Sequence, residues 1–156
     1  MWPVRVVLVI LAIALIAAGP KTRKAAIFAL AGVLLANFSC DLLKNHVPVN
    51  RPCVDMADVI NHGVGFLTSK GTASAHAANT AAIAFAFTYF LRWWGVIPIL
   101  LSFFTGIARI YVGVHYPSQV LYGWIVGAAV GALLIYSYRF YESRKQAKPE
   151  KVISDK

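Results

Sequence analysis

Two histidines and three cations stand at the ends of otherwise apolar stretches: Lys44 with Arg51-Pro52, Ser74 with His76, and Arg109 with His115. An ammonium and two planar guanidinium forks suit the oxygens of a phosphate, and imidazoles can attack phosphorus or carry a proton. Converging at one end of a bundle, these groups would make a site for a phosphate and for chemistry on it.

Each cluster also has a plainer reading. Lys44 precedes Arg51 by seven residues, with Pro48 and Pro52 stiffening the link. Alone, that is equally a pair of cations snorkelling to a headgroup boundary. Ser74 and His76 open an apolar stretch, where free backbone N–H groups and the helix dipole attract an anion. The same residues also read as an N-cap and an interfacial histidine. Arg109 closes a stretch at a depth where an unpaired guanidinium is costly, so it must pair or face a polar cavity. His115 follows as candidate nucleophile. Gln119, four residues on, is the candidate group to orient it, its carbonyl fixing the tautomer without adding charge.

The elements that must position these groups are membrane helices. With 59% hydrophobic residues, 13% charged residues and a mean hydropathy of +0.66 over 156 residues, the chain is too apolar for a soluble domain of its size. Uncharged stretches run approximately over 6–19, 25–40, 73–91, 93–108 and 117–138. Each approaches the roughly 20 residues a spanning helix needs, with flanking Trp, Tyr, Lys and Arg extending the shorter ones. No strand alternation is present. The expected fold is therefore all-α: a polytopic membrane bundle of about five transmembrane helices. A short interfacial helix is expected in the long connection, on Val54, Met56, Val59 and Ile60.

The first stretch also has the marks of a signal peptide, but the stronger basic cluster of Lys21, Arg23 and Lys24 follows it, which favours a retained helix with its N-terminus outside. Threading from there places ten Lys/Arg inside and five outside. Three of those five are the motif cations. The expected organisation is a membrane domain over 1–142 and a basic cytoplasmic tail over 143–156, which accounts for part of the net charge of +9 by meeting anionic lipid. Nucleic acid is not an expected partner, since no basic stripe interleaved with aromatics lies on a soluble domain.

KxxxxxxRP at 44–52, ASAH at 73–76 and ARIYVGVHYPSQ at 108–119 resemble, in order and spacing, the three signature motifs of the type 2 phosphatidic acid phosphatase (PAP2) superfamily, which includes lipid phosphatases and vanadium haloperoxidases. The resemblance implies a phosphohistidine on His115, with His76 as proton donor and later base. It assigns the phosphate oxygens to Lys44, Arg51, Ser74, the amide of Ala75, and Arg109. It implies no metal and no cofactor.

It also implies an integral enzyme of the bacterial inner membrane with its site facing the periplasm or exterior. Expected substrates are lipid phosphates such as phosphatidylglycerophosphate, undecaprenyl diphosphate or the 1-phosphate of lipid A. A non-catalytic lipid-phosphate carrier is the main alternative; a haloperoxidase-like oxidase is disfavoured by small size. Two departures stand out: ASAH replaces the usual PSGH, and Gln119 stands where an Asp is common. Either catalysis is slower, or Asp41, Asp55 or Asp58 substitutes.

Gly123, Gly127 and Gly131 read as an intrachain packing face. Trp93, Trp94 and Trp124 read as interface anchors or lipid-facing bulk. Cys40 and Cys53 are either bridged or free, and oligomeric state is left open.

Overall fold

The computed structural model describes residues 2–56 and 70–147. Among them the chain is helical, without strands: α1 (Trp2–Ala17), α2 (Pro20–His46), α3 (Pro52–Asp55), α4 (Ala75–Leu91), α5 (Val96–Tyr111) and α6 (Pro117–Gln146). Pro20, Pro52 and Pro117 each open a helix, where the missing N–H costs nothing and φ is already suitable.

Three helical stretches, Pro20–His46, Ala75–Tyr111 and Pro117–Gln146, are long and apolar enough to cross a membrane. The middle one is a hairpin. Arg92, with φ of 53°, breaks it, a 3₁₀ turn over Arg92–Gly95 reverses the chain, and α5 packs back on α4. α4 is the hub, packing against α2, α6 and α5, while α1 packs on α2.

Small side chains fill the interior and large ones face out. Ala36, Cys40, Ala73, Ala78 and Ala82 form the core, whereas Leu30, Leu34, Phe38, Leu101 and Leu133 are each at least 60% exposed. That inversion suits a bundle solvated by lipid, where close backbone approach replaces a water-driven core. The glycines of α6 sit as expected: a Cβ at Gly123 would lie 2.5 Å from Ser74 O, one at Gly127 would strike Ala78 O, and one at Gly131 would meet Phe85. The α4 backbone blocks any side chain at Gly127, so Gly127→Val is expected to destabilise the bundle by about 1–3 kcal/mol, read as a lowered unfolding midpoint in detergent.

Several expectations change in detail. Only a single turn, α3, forms in the described part of the long connection, and the rest of the expected interfacial helix, with Asp58 and His62, lies outside the described residues. The boundary placed after residue 142 falls inside α6, which continues to Gln146; residues 148–156 of the tail also lie outside the described residues. Trp93 and Trp94 are exposed as anchors should be, but Trp124 is not lipid-facing bulk. Its ring stacks on Phe103 at 6.2 Å and packs against the backbone of Gly106, so it is a wedge between α5 and α6. Cys40 and Cys53 are free thiols.

Candidate functional site

The three motifs meet at one end of the bundle. Lys44 comes from the last turn of α2, Arg51 from the link to α3, Ser74 and His76 from the start of α4, Arg109 from the last turn of α5, and His115 from the turn before α6. Two extended segments brace this end. Val47 O accepts from Thr72 Oγ1, Val49 N donates to the same hydroxyl at 3.1 Å, and Gly71 N donates to Val49 O at 2.7 Å. Gly71 itself lies against the site, since a Cβ there would sit 2.8 Å from both Arg51 Cγ and Gln119 Oε1.

His115 is 3% exposed and held on both ring nitrogens. Nδ1 is 3.0 Å from Gln119 Oε1, and Nε2 is 3.2 Å from Arg51 Nη1. The orientation of the Gln119 amide is itself determined. Its Nε2 donates to Asn50 O at 2.7 Å, and its Oε1 accepts the Tyr116 N–H at 3.2 Å. Oε1 therefore faces His115 as an acceptor, which puts the ring proton on Nδ1 and leaves the Nε2 lone pair toward Arg51.

The helix α6 begins at Pro117 and does not reach back to His115, so this contact is made across a helix cap rather than along a helical face. Gly113, with φ of 76°, ends α5 and turns the chain so that His115 points inward, a conformation that favours glycine.

Arg51 is buried at 6% exposure and also donates to Val114 O at 3.1 Å and Lys70 O at 3.3 Å. Burial, opposed by the nearby Cys53 and assisted by Arg109, lowers its pKa from the ordinary arginine value. Arg109 buries its Nε without a hydrogen-bond partner among the described residues, an orphaned donor at the site. Ser74 is fully buried; its N–H donates to Gln119 O at 2.9 Å, tying α4 to α6, and its Oγ accepts from Ala77 N at 3.5 Å. As a cap acceptor it keeps its own O–H, so the capping contact is compatible with donation to an anion.

His76 is exposed at the mouth, and the charges of Arg109, Arg51 and Lys44 all act on its ring. Lys44 stands apart in one respect: its Nζ pairs with Asp41 at 3.0 Å, the intrahelical ion pair its spacing suggests. Asp41 is thereby occupied. Asp55 accepts from Asn50 Nδ2 at 2.9 Å and from the Tyr116 hydroxyl at 3.4 Å, so it is a rim residue rather than a free loop residue. Neither has a hydrogen bond to His115. Asn50 and Gly71 are the site residues the motif reading misses, because both act through the backbone.

Burial lowers the His115 pKa from 6.5 to about 4; the Gln119 hydrogen bond opposes this and the cations Arg51 and Arg109 add to it. The ring is thus neutral at physiological pH. Its folded-state pKa lies below the unfolded value, so the unfolded chain binds the proton first as pH falls. The associated stability is complete above about pH 6.5 and is lost on going down through pH 4, roughly 3 kcal/mol in all. Histidine-selective NMR of the detergent-solubilised protein is expected to show one ring, absent in His115→Ala, that protonates well below pH 6.

Among the described residues, no three His, Cys, Asp or Glu side chains come together as metal ligands. A buried imidazole whose Nε2 faces the Arg51 guanidinium thus sits at one end of a bundle of long apolar helices. The PAP2 superfamily model matches residues 25–143, and the chain belongs to that superfamily.

Over 116 residues it is 35% identical to a decaprenylphosphoryl-5-phosphoribose phosphatase of Mycobacterium tuberculosis, covering 74% of this chain and 62% of that protein. It is also similar to lipid A 4'-phosphatases: 32% identical over 101 residues to that of Bacteroides thetaiotaomicron (62% of this chain, 43% of that one), and 28% over 141 residues to that of Porphyromonas gingivalis (80% and 57%). The chain spans roughly half the length of these curated relatives. No solved structure matches it.

Proposed function

We propose that the protein is an integral membrane phosphatase that removes phosphate from a lipid phosphate or diphosphate through a phosphohistidine. The observation that carries this reading is the His115 ring, with Nδ1 tied to Gln119 and Nε2 turned toward Arg51. When phosphate enters, its oxygens draw Arg51 away from Nε2, together with Arg109, Lys44, the Ser74 hydroxyl and the Ala75 amide. The freed lone pair of Nε2 attacks phosphorus and forms an N–P bond as the P–O bond to the lipid breaks. His76 donates a proton to the departing oxygen. It then takes one from water, whose oxygen attacks phosphorus, breaks the N–P bond and releases inorganic phosphate. Positioning and electrostatic stabilisation supply most of the catalysis in such a transfer.

In this reading α1, α2, α4, α5 and α6 are five membrane spans. The site end faces the periplasm or exterior of a bacterial inner membrane, and the C-terminus is cytoplasmic, in keeping with the ten-to-five split of Lys and Arg. The relatives' names support a lipid substrate, with phosphatidylglycerophosphate, undecaprenyl diphosphate and lipid A phosphates as the classes to assay.

One observation favours a second reading, a lipid-phosphate carrier: Gln119 brings no charge to stabilise an imidazolium on His115. Phosphate release from a panel of lipid phosphates by detergent-purified protein decides between them. Binding without release would sink the phosphatase.

A further inference from the structure

A neutral amide beside His115 must itself be held, because it can turn over. With its oxygen and nitrogen exchanged, Gln119 would present a donor to Nδ1, and the ring proton would pass to Nε2, the atom proposed to attack. Two neighbours prevent this: Asn50 O accepts from Gln119 Nε2 at 2.7 Å, and Tyr116 N donates to Oε1 at 3.2 Å. Both neighbours stand outside the helices, Asn50 in the link between α2 and α3 and Tyr116 just before α6. No helical ladder fixes either one, so each needs a partner of its own.

One carboxylate reaches both. Asp55 Oδ1 accepts from Asn50 Nδ2 at 2.9 Å, and Asp55 Oδ2 accepts from the Tyr116 hydroxyl at 3.4 Å. The single turn of α3 puts the carboxylate there, since Asp55 N donates back to Arg51 O at 3.2 Å. On the other side, Lys70 Nζ donates to Asn50 Oδ1 at 2.8 Å, and Lys70 O accepts from Arg51 Nη2 at 3.3 Å. Arg51 Nη1 in turn lies 3.2 Å from His115 Nε2. The contacts close into a ring around the mouth that starts and ends on Arg51.

We infer that Asp55 is a positioning residue for the proposed nucleophile: it grips Asn50 and Tyr116, and through them sets the Gln119 amide and the Nδ1–H tautomer of His115. The inference rests on the phosphatase reading and assigns that reading a residue outside its three motifs. Asp55 contributes geometry rather than charge. It has no hydrogen bond to His115, and its contacts lie at the exposed rim, where solvent and salt screen a carboxylate. An amide in its place could keep both contacts, its oxygen accepting from Asn50 and its nitrogen donating to the Tyr116 hydroxyl. Hydrogen bonds at a wet rim compete with water, so losing them should loosen the amide and slow the reaction without abolishing it.

The test is ¹⁵N-histidine NMR of the full chain in detergent at neutral pH, run beside kinetics on a lipid phosphate. The signals absent in His115→Ala are expected to report the Nδ1–H tautomer in the unaltered protein. Asp55→Ala should move part of the ring to the Nε2–H tautomer and lower kcat about three- to tenfold, with KM changed by less than about twofold. Asp55→Asn should recover most of both. Asn50→Ala removes the side chain but keeps the carbonyl, and combining it with Asp55→Ala should cost little more than Asp55→Ala alone, because the two break one contact. A tautomer unaltered by Asp55→Ala would overturn the inference. So would an Asp55→Asn as impaired as Asp55→Ala, which would make the charge the active element, or a raised KM at constant kcat, which would place Asp55 against the substrate. Absence of phosphate release even from the unaltered protein would sink the phosphatase reading, while the tautomer shift would still decide the role of Asp55.

Discussion

His115→Ala is expected to lower phosphate release by at least on the order of 10³-fold, with lipid-phosphate binding largely kept. In the proposed mechanism the imidazole supplies the attacking lone pair, which is turned toward Arg51, so its loss would remove the covalent step rather than one stabilising contact. The cations and α4 N-terminus remain, so the variant should still hold a phosphate. Parallel assays of release and of binding separate the effects. An unaltered release rate would move the nucleophile elsewhere. Loss of both release and binding, in a protein that still unfolds cooperatively, would mean that His115 holds the phosphate rather than attacks it.

Arg51→Ala is expected to cost on the order of 10²- to 10³-fold in kcat/KM, the range for removing one preorganised donor from a transition-state oxygen. It should also destabilise the protein, because Val114 O and Lys70 O each lose a donor, at about 1–3 kcal/mol apiece where the carbonyl stays dry. Arg51→Lys is expected to recover little of either. A lysine keeps the charge, but a single ammonium cannot span Val114 O, Lys70 O and His115 Nε2 as the planar fork does. Kinetics beside thermal unfolding of both variants check this, and full rescue by lysine would reduce Arg51 to a point charge. The proposed sequence of events adds a requirement: Arg51 must leave Nε2 before His115 can attack, so it acts as a guard in the empty site and as a clamp in the occupied one.

Gln119 shows how a departure from a motif is absorbed. A carboxylate beside Nδ1 would raise the basicity of His115, whereas the neutral amide leaves burial and two arginines to set a low pKa. The amide compensates in geometry, not in charge, since Asn50 O and Tyr116 N lock its orientation and hence the tautomer. Asp41 and Asp55 supply no substitute charge, each being engaged by another partner.

The amino-acid sequence by itself determined the class of fold and the inventory of the site. Runs of apolar residues without alternation admit only helices in lipid, and residues at alternate run ends share one boundary. His76, His115, Arg51 and Arg109 were therefore legible as one set. The glycine spacing of 123, 127 and 131 likewise forecast a close helix contact, because only small residues let two backbones approach.

What tertiary structure alone decided were relations between residues distant in the chain and carried by backbone atoms. The Asn50 carbonyl that orients Gln119, the Gly71 segment that leaves room beside Arg51, and the apolar cleft between α4, α5 and α6 beneath the site have no signature in residue type. Each depends on how far α5 leans from α6 and where two short extended segments meet. The physical reason is that side-chain chemistry and periodicity are local properties of the chain, whereas which carbonyl, void or neighbouring helix a group faces is set only when the helices pack.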